Sequence, residues 1–155
     1  YSVGYLGFFK PEYLQEAHSL DGRYEHSSLT EEDAGRYLDQ LLEYMADQKP
    51  YLDGKLRMDD LAEELSIPSH HLSQIINEQL GKNFFEFVNA YRVNEARKLL
   101  SDPEKREYKI LRIALESGFN NKTTFNNAFK SEVGTTPSSF RNSVLNGKEL
   151  SQGER

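Results

Sequence analysis

The chain has 155 residues, a net charge of −6 and 37% hydrophobic residues, with aromatic side chains at 12%, enough for one compact domain or two small ones sharing a core. It contains no cysteine, which excludes disulfides, thiolate metal sites and cysteine nucleophiles and fits a reducing cytoplasm. No apolar run reaches the ~20 residues needed to span a bilayer.

Residues 1–29 contain Gly4, Gly7, Pro11 and Gly22 and show no periodicity, so they read as an irregular or extended linker. Their opening, YSVGYLGFF, fits either the end of a membrane span or of another domain, or an arm packed on this one. The acidity is concentrated upstream. Residues 1–50 hold 4 Lys/Arg and 10 Asp/Glu, whereas residues 51–145 hold 13 of each. A neutral segment can still present a basic face, though with weaker nonspecific phosphate attraction than a basic domain.

Thr30 followed by Glu31, Glu32 and Asp33 is an N-cap with an acidic first turn. Ala34, Tyr37, Leu38, Leu41, Leu42 and Met45 then recur at helical spacing, predicting a helix to about Lys49 that stops before Pro50. After the PYLDGK turn the pattern predicts short helices near 58–65, 69–80, 84–100, 108–117, 121–132 and 137–145, with residues 146–155 as a flexible tail. No stretch alternates with period two. The fold class is all-α, with seven helices.

An internal repeat organises the chain. Residues 58–81, MDDLAEELSIPSHHLSQIINEQLG, align with residues 110–134, ILRIALESGFNNKTTFNNAFKSEVG. Leu61 and Ala62 match Ile113 and Ala114 at an offset of 52. Leu72, Ile76 and Gly81 match Phe125, Phe129 and Gly134 at an offset of 53, one residue having been added in the second turn. Each copy is a helix, a tight turn and a second helix, the helix-turn-helix arrangement. Gly118 stands in the second turn, where a left-handed residue is often needed, and Ser66 is its weaker counterpart in the first. The copies define subdomain one, residues 30–82, and subdomain two, residues 108–145, joined by the helix 84–100.

At 100° per residue the second helix of each copy divides into two faces. In 69–80, Leu72, Ile75, Ile76 and Leu80 form the core stripe, leaving His70, Ser73, Gln74 and Asn77 outward. In 121–132, Phe125, Ala128 and Phe129 face the core, and Thr123, Asn126, Asn127 and Lys130 face out. Asn and Gln can pair twice with adenine, Lys suits guanine and the Thr methyl suits thymine, so both outward sets suit base reading better than mere solvation. Asn120 and Asn121 read as helix caps. His71, at the flank of the core stripe, reads as a packed or capping histidine. Arg92 suits either a phosphate or an internal pair with Glu95 or Glu116. His70 and His71 diverge by about 100° on a helix and no HExxH motif accompanies them, so no metal is expected. A joining helix of about 25 Å could place the two reading helices in successive major grooves, ~34 Å apart.

GFNNKTTFNNAFKSEVGTTPSSFR (118–141) resembles the signature of the AraC/XylS family of bacterial transcription regulators. Gly118, Phe119, Phe125, Phe129, Lys130, Gly134, Thr136, Pro137, Phe140 and Arg141 carry the match. Residues 61–81 and 83–100 extend it, so that it covers about 52–143. The resemblance implies seven helices in two helix-turn-helix subdomains, with binding to double-stranded promoter DNA. The implied base-contacting residues are His70, Ser73 and Gln74 in the first reading helix, and Lys122, Thr123, Asn126 and Asn127 in the second; Asn77 joins the expected base contacts from its place on the outward face. Ser69, Lys82, Asn121, Lys130 and Arg141 are the expected contacts to the DNA backbone. Gln74 and Asn127 stand where many relatives carry arginine, which argues against strong guanine contacts there.

The resemblance further implies a transcriptional activator that engages RNA polymerase, homodimerisation through regions outside residues 1–155, and a separate sensing domain. The upstream GFFKPEYL and the stretch to Asp53 look like the juxtamembrane segment of regulators with a membrane sensor N-terminal to Tyr1, which would tether a cytoplasmic domain to the inner membrane. No cofactor and no catalysis are expected. The alkyl-transfer repair proteins that carry such a domain use cysteine, and no hydrolase elbow or oxyanion motif accompanies the four histidines. The competing reading is a protein-interaction module that has lost DNA affinity.

Overall fold

The computed structural model describes residues 28–153, with side chains through Gly147; the linker and aromatic arm expected over most of 1–29 lie outside the described residues. The described residues form seven α-helices and no strand: α1 Glu31–Gln48, α2 Met58–Leu65, α3 Ser69–Leu80, α4 Phe84–Leu100, α5 Ile110–Glu116, α6 Lys122–Val133 and α7 Pro137–Gly153. Short 3-10 turns occupy Pro50–Leu52 and Pro103–Lys105. None of these helices is long and apolar enough to cross a membrane. The last helix departs from expectation. It continues through Gly153, where the sequence suggested a helix over 137–145 followed by a flexible tail over 146–155.

Local chemistry accounts for the boundaries. Thr30 Oγ1 accepts from the Asp33 backbone N–H at 3.1 Å and opens α1, whose first turn is acidic. Lys49, in a left-handed conformation at φ 48°, closes it ahead of Pro50. At the start of α4, Asn83 and Glu86 cap reciprocally: Glu86 N–H donates to Asn83 Oδ1 and Asn83 N–H to Glu86 Oε2, both at 2.9 Å. That exchange satisfies two donors the helix would otherwise leave unpaired. Gly81 ends α3 at φ 63°, its N–H bonded to the Asn77 carbonyl while Lys82 N–H reaches the Ile76 carbonyl. The Gly81–Asn77 bond is the 5→1 bond of the αL cap, which a left-handed residue permits.

The chain divides into two compact units. In the first, α1, α2 and α3 pack on one another around a mostly aliphatic core; the unit also buries Phe87. Leu41, Met45, Leu61, Leu72 and Ile76 are fully buried there. The second unit takes residues 51–54 together with everything from Val88 onward. Its core is aromatic. Phe119 and Phe125 lie 5.1 Å apart, Phe125 and Phe129 5.7 Å, and Phe129 and Phe140 5.5 Å between ring centres. Val93, Ala96, Leu100, Ile113 and Ala114 pack against this ladder. Such ring pairs add about 0.5–1.5 kcal/mol each beyond the area they bury.

Residues 51–54 lie before α2 in sequence yet fold with the second unit. The buried Arg92 holds them. Its Nε donates to the Tyr51 carbonyl at 2.7 Å and its Nη2 to the Asp53 carbonyl at 2.9 Å, while Tyr51 stacks on Tyr91. Burial pushes the guanidinium below its ordinary pKa, and nearby Asp53 works in the opposite direction. Arg92 is thus neither a phosphate contact nor a partner of Glu95 or Glu116. Besides a 3.3 Å bond from its Nη1 to Asn89 Oδ1 within α4, its bonds go to backbone carbonyls 41 and 39 residues away, which periodicity within α4 could not anticipate.

Candidate nucleic-acid interface

Each unit contains a helix-turn-helix. In the first, α2 ends at Ser66, left-handed at φ 55°, before Ile67, Pro68 and α3. In the second, α5 ends at Ser117, and Gly118 turns the chain at φ 97°. Both left-handed positions coincide with the residues the repeat assigned to the turns. Gly118 has a second constraint, because a Cβ there would collide with the Tyr51 carbonyl and crowd Arg92.

The α6 helix presents its polar face openly. Lys122, Thr123, Asn127 and Lys130 are exposed and Asn126 is half-buried, while Phe125 and Phe129 anchor the opposite face in the core. Asn121 starts the helix in extended backbone and its Oδ1 accepts from the Thr124 N–H at 2.8 Å. It is therefore the cap, a role also assigned on sequence, and its carboxamide oxygen is already engaged. Asn120 is not a cap. Its Nδ2 donates to the Gly54 carbonyl at 2.7 Å, a tie across 66 residues. Arg141, expected on the DNA backbone, donates to the Tyr108 carbonyl at 2.6 Å and is half-buried, tying α7 to the loop before α5.

The α3 helix is more covered. His70 is exposed, whereas Ser73 and Asn77 are half-buried. Asn77 Nδ2 donates back to the Ser73 carbonyl at 2.9 Å. Gln74 corrects the sequence expectation: it is only 7% exposed, and its Nε2 donates to Glu78 Oε2 at 3.2 Å. It lies about 60° around the helix from His71, which stacks with Tyr37 of α1 and has Ser28 Oγ 3.5 Å from its Nε2. The core stripe of α3 says nothing of what covers its other flank, so periodicity alone placed Gln74 in solvent. Glu78 had no place in the sequence reading, although its i, i+4 spacing from Gln74 is a signal for such a pair.

At the start of α3, Ser69 Oγ donates to Asp59 Oδ1 at 2.8 Å. A hydroxyl expected on phosphate is thus held by a carboxylate of α2. Lys82, half-buried just beyond Gly81, already has an interaction within the protein. No group of three or more His, Asp or Glu able to hold a metal occurs among the described residues.

A family model described as a helix-turn-helix domain matches residues 61–143. The melibiose operon regulatory protein of Escherichia coli K12 is 29% identical over 116 residues, covering 75% of this chain and 36% of that protein. The chain spans about a third of the length of the first curated relatives it matches. Among solved structures, the C-terminal domain of AraT, a response regulator from Geobacillus stearothermophilus, aligns with a TM-score of 0.56 at 27% identity, over 76% of this chain and 88% of that one. The DNA-binding domain of AdpA, solved in complex with a target DNA, aligns at 0.58 over 68% of this chain and 90% of that one. At 16% identity the AdpA likeness is one of fold alone.

Proposed function

The chain belongs to the AraC/XylS family of helix-turn-helix transcription regulators, and on that premise we propose that it binds double-stranded promoter DNA sequence-specifically and regulates transcription without catalysis. The observation that carries this reading is the face of α6. Thr123, Asn127, Lys122 and Lys130 are exposed together, and no described residue bonds their side chains. A helix interior gains little from Asn and Thr, whereas base edges need the paired donors and acceptors they supply. The two second helices, α3 and α6, read successive major grooves in this proposal. His70, Ser73 and Asn77 serve in the first, and Lys122, Thr123, Asn126 and Asn127 in the second.

Activation through RNA polymerase, dimerisation through regions outside residues 1–155, and a sensing domain upstream of Tyr1 go with the same reading, as does a cytoplasmic location. The test is a mobility-shift titration of residues 1–155 against the DNA upstream of its own and neighbouring genes, over a salt series with competitor DNA. A specific footprint of about two helical turns that weakens with salt is expected. No specific binding, with or without residues 1–50, would leave the protein-interaction module as the better assignment.

A further inference from the structure

The two units differ in charge as much as in core. Residues 28–50 and 55–87, the described part of the first unit, carry 5 Lys/Arg against 12 Asp/Glu. Residues 51–54 and 88–147, the part of the second whose side chains are described, carry 10 Lys/Arg against 7 Asp/Glu. The contrast reaches the reading helices. No Lys or Arg lies within α3, which carries Glu78; α6 carries Glu132 but also Lys122 and Lys130, both exposed.

The two helix starts differ in the same direction. A helix N-terminus attracts phosphate through its free N–H groups, but at α3 the adjoining Ser69 hydroxyl is bonded to the Asp59 carboxylate. Asp60, Glu63 and Glu64 of α2 are exposed in the same unit. At α6 the cap is the neutral Asn121, followed directly by exposed Lys122.

Resting on the DNA-binding reading above, we propose that the two recognition helices are unequal: α6 carries the phosphate-dependent affinity, while α3 adds sequence discrimination through neutral hydrogen bonds and little electrostatic attraction. The half-site under α6 is then the anchor, and the half-site under α3 is read from an acidic subdomain that repels the duplex until α6 holds it. Gln74, covered and bonded to Glu78, leaves α3 with His70, Ser73 and Asn77 as its readers.

The experiment compares the wild-type chain with K122Q/K130Q and with H70A/S73A. Each binds a random-sequence 30-base-pair duplex and a duplex selected by the wild-type chain from a random pool, between 50 and 200 mM salt. Each phosphate contact contributes about 0.9 to the slope of log affinity against log salt. K122Q/K130Q should therefore lower that slope by about 1.8 on both duplexes and weaken binding at least tenfold at the low-salt end. H70A/S73A should leave the slope unchanged and narrow the gap between selected and random duplexes. All four substitutions fall on side chains outside the core, and far-UV circular dichroism with a thermal midpoint checks that the fold persists.

An equal loss of slope in the two variants, or a larger one in H70A/S73A, would overturn the inequality while leaving DNA binding intact. Failure of the wild-type chain to bind either duplex would instead overturn the DNA-binding reading itself, and the inference with it.

Discussion

The two helix-turn-helix copies solve the same geometry with different materials. The first fills its core with Leu41, Met45, Leu61, Leu72 and Ile76 and turns on Ser66; the second stacks Phe119, Phe125, Phe129 and Phe140 and turns on Gly118. What repeats is the spacing that presents one helix on another, not the composition. Apolar burial is non-directional, so branched aliphatic and aromatic side chains can both fill the space between two helices. The turn tolerates less variation, because a left-handed residue costs about 1–2 kcal/mol with a Cβ and almost nothing without one.

That contrast can be broken most severely in the aromatic core. Phe129→Ala removes the centre of the ladder and should destabilise the protein by about 3–5 kcal/mol, read from the denaturant midpoint. Ile76→Ala, at the matching position of the first copy, should cost about 2–5 kcal/mol. A cost for Phe129→Ala below that of Ile76→Ala would show that the ladder adds nothing beyond its area.

The turns come next, and their substitutions should act in opposite directions. Gly118→Ala meets both the left-handed backbone and the Tyr51 carbonyl, for a loss of about 2 kcal/mol or more. Ser66→Gly relieves the same strain without a neighbour in the way and should raise stability by about 0.5–1 kcal/mol, less than the full strain because glycine is the more flexible in the unfolded chain. Thermal melts of the two variants, run side by side, measure the difference. A destabilising Ser66→Gly would mean that the serine does something at that turn beyond tolerating its conformation.

The reading faces give the smallest effects on stability and sharpen the comparison through binding. Asn127→Ala should weaken DNA affinity by about 1–3 kcal/mol if the carboxamide makes a bidentate contact, with the thermal midpoint unchanged. Gln74→Ala, at the equivalent position of α3, should change affinity by less than about 0.5 kcal/mol, because its amide is covered and occupied by Glu78. Titrations on the same selected duplex decide between the two positions. Equal losses would mean that Gln74 leaves Glu78 to meet the DNA.

Much of this architecture was legible from spacing. The predicted α2, α3 and α4 ranges agree with the observed Met58–Leu65, Ser69–Leu80 and Phe84–Leu100, because each is bounded by residues whose local chemistry stops a helix. Ser66, Gly81 and the Asn83–Glu86 capping pair are legible as neighbours in the chain. The two positive-φ turns were legible as well, from a repeat aligned on apolar positions and on the Gly81–Gly134 match. The far end of α7 was not, since no stop signal marks Leu145, and helix continues to Gly153.

The sequence by itself determined the helices, their core stripes and the doubled motif, because these follow from periodicity and from groups a few residues apart. Tertiary structure alone decided which polar side chains remain free to act. Arg92 is spent on carbonyls 39 and 41 residues away, Asn120 on Gly54, Arg141 on Tyr108, and Ser69 on Asp59 of the preceding helix. Each of those partners is remote in sequence or lies on another element. A polar group leaving water takes whatever acceptor the fold brings within reach, and helical periodicity contains no information about which one that is.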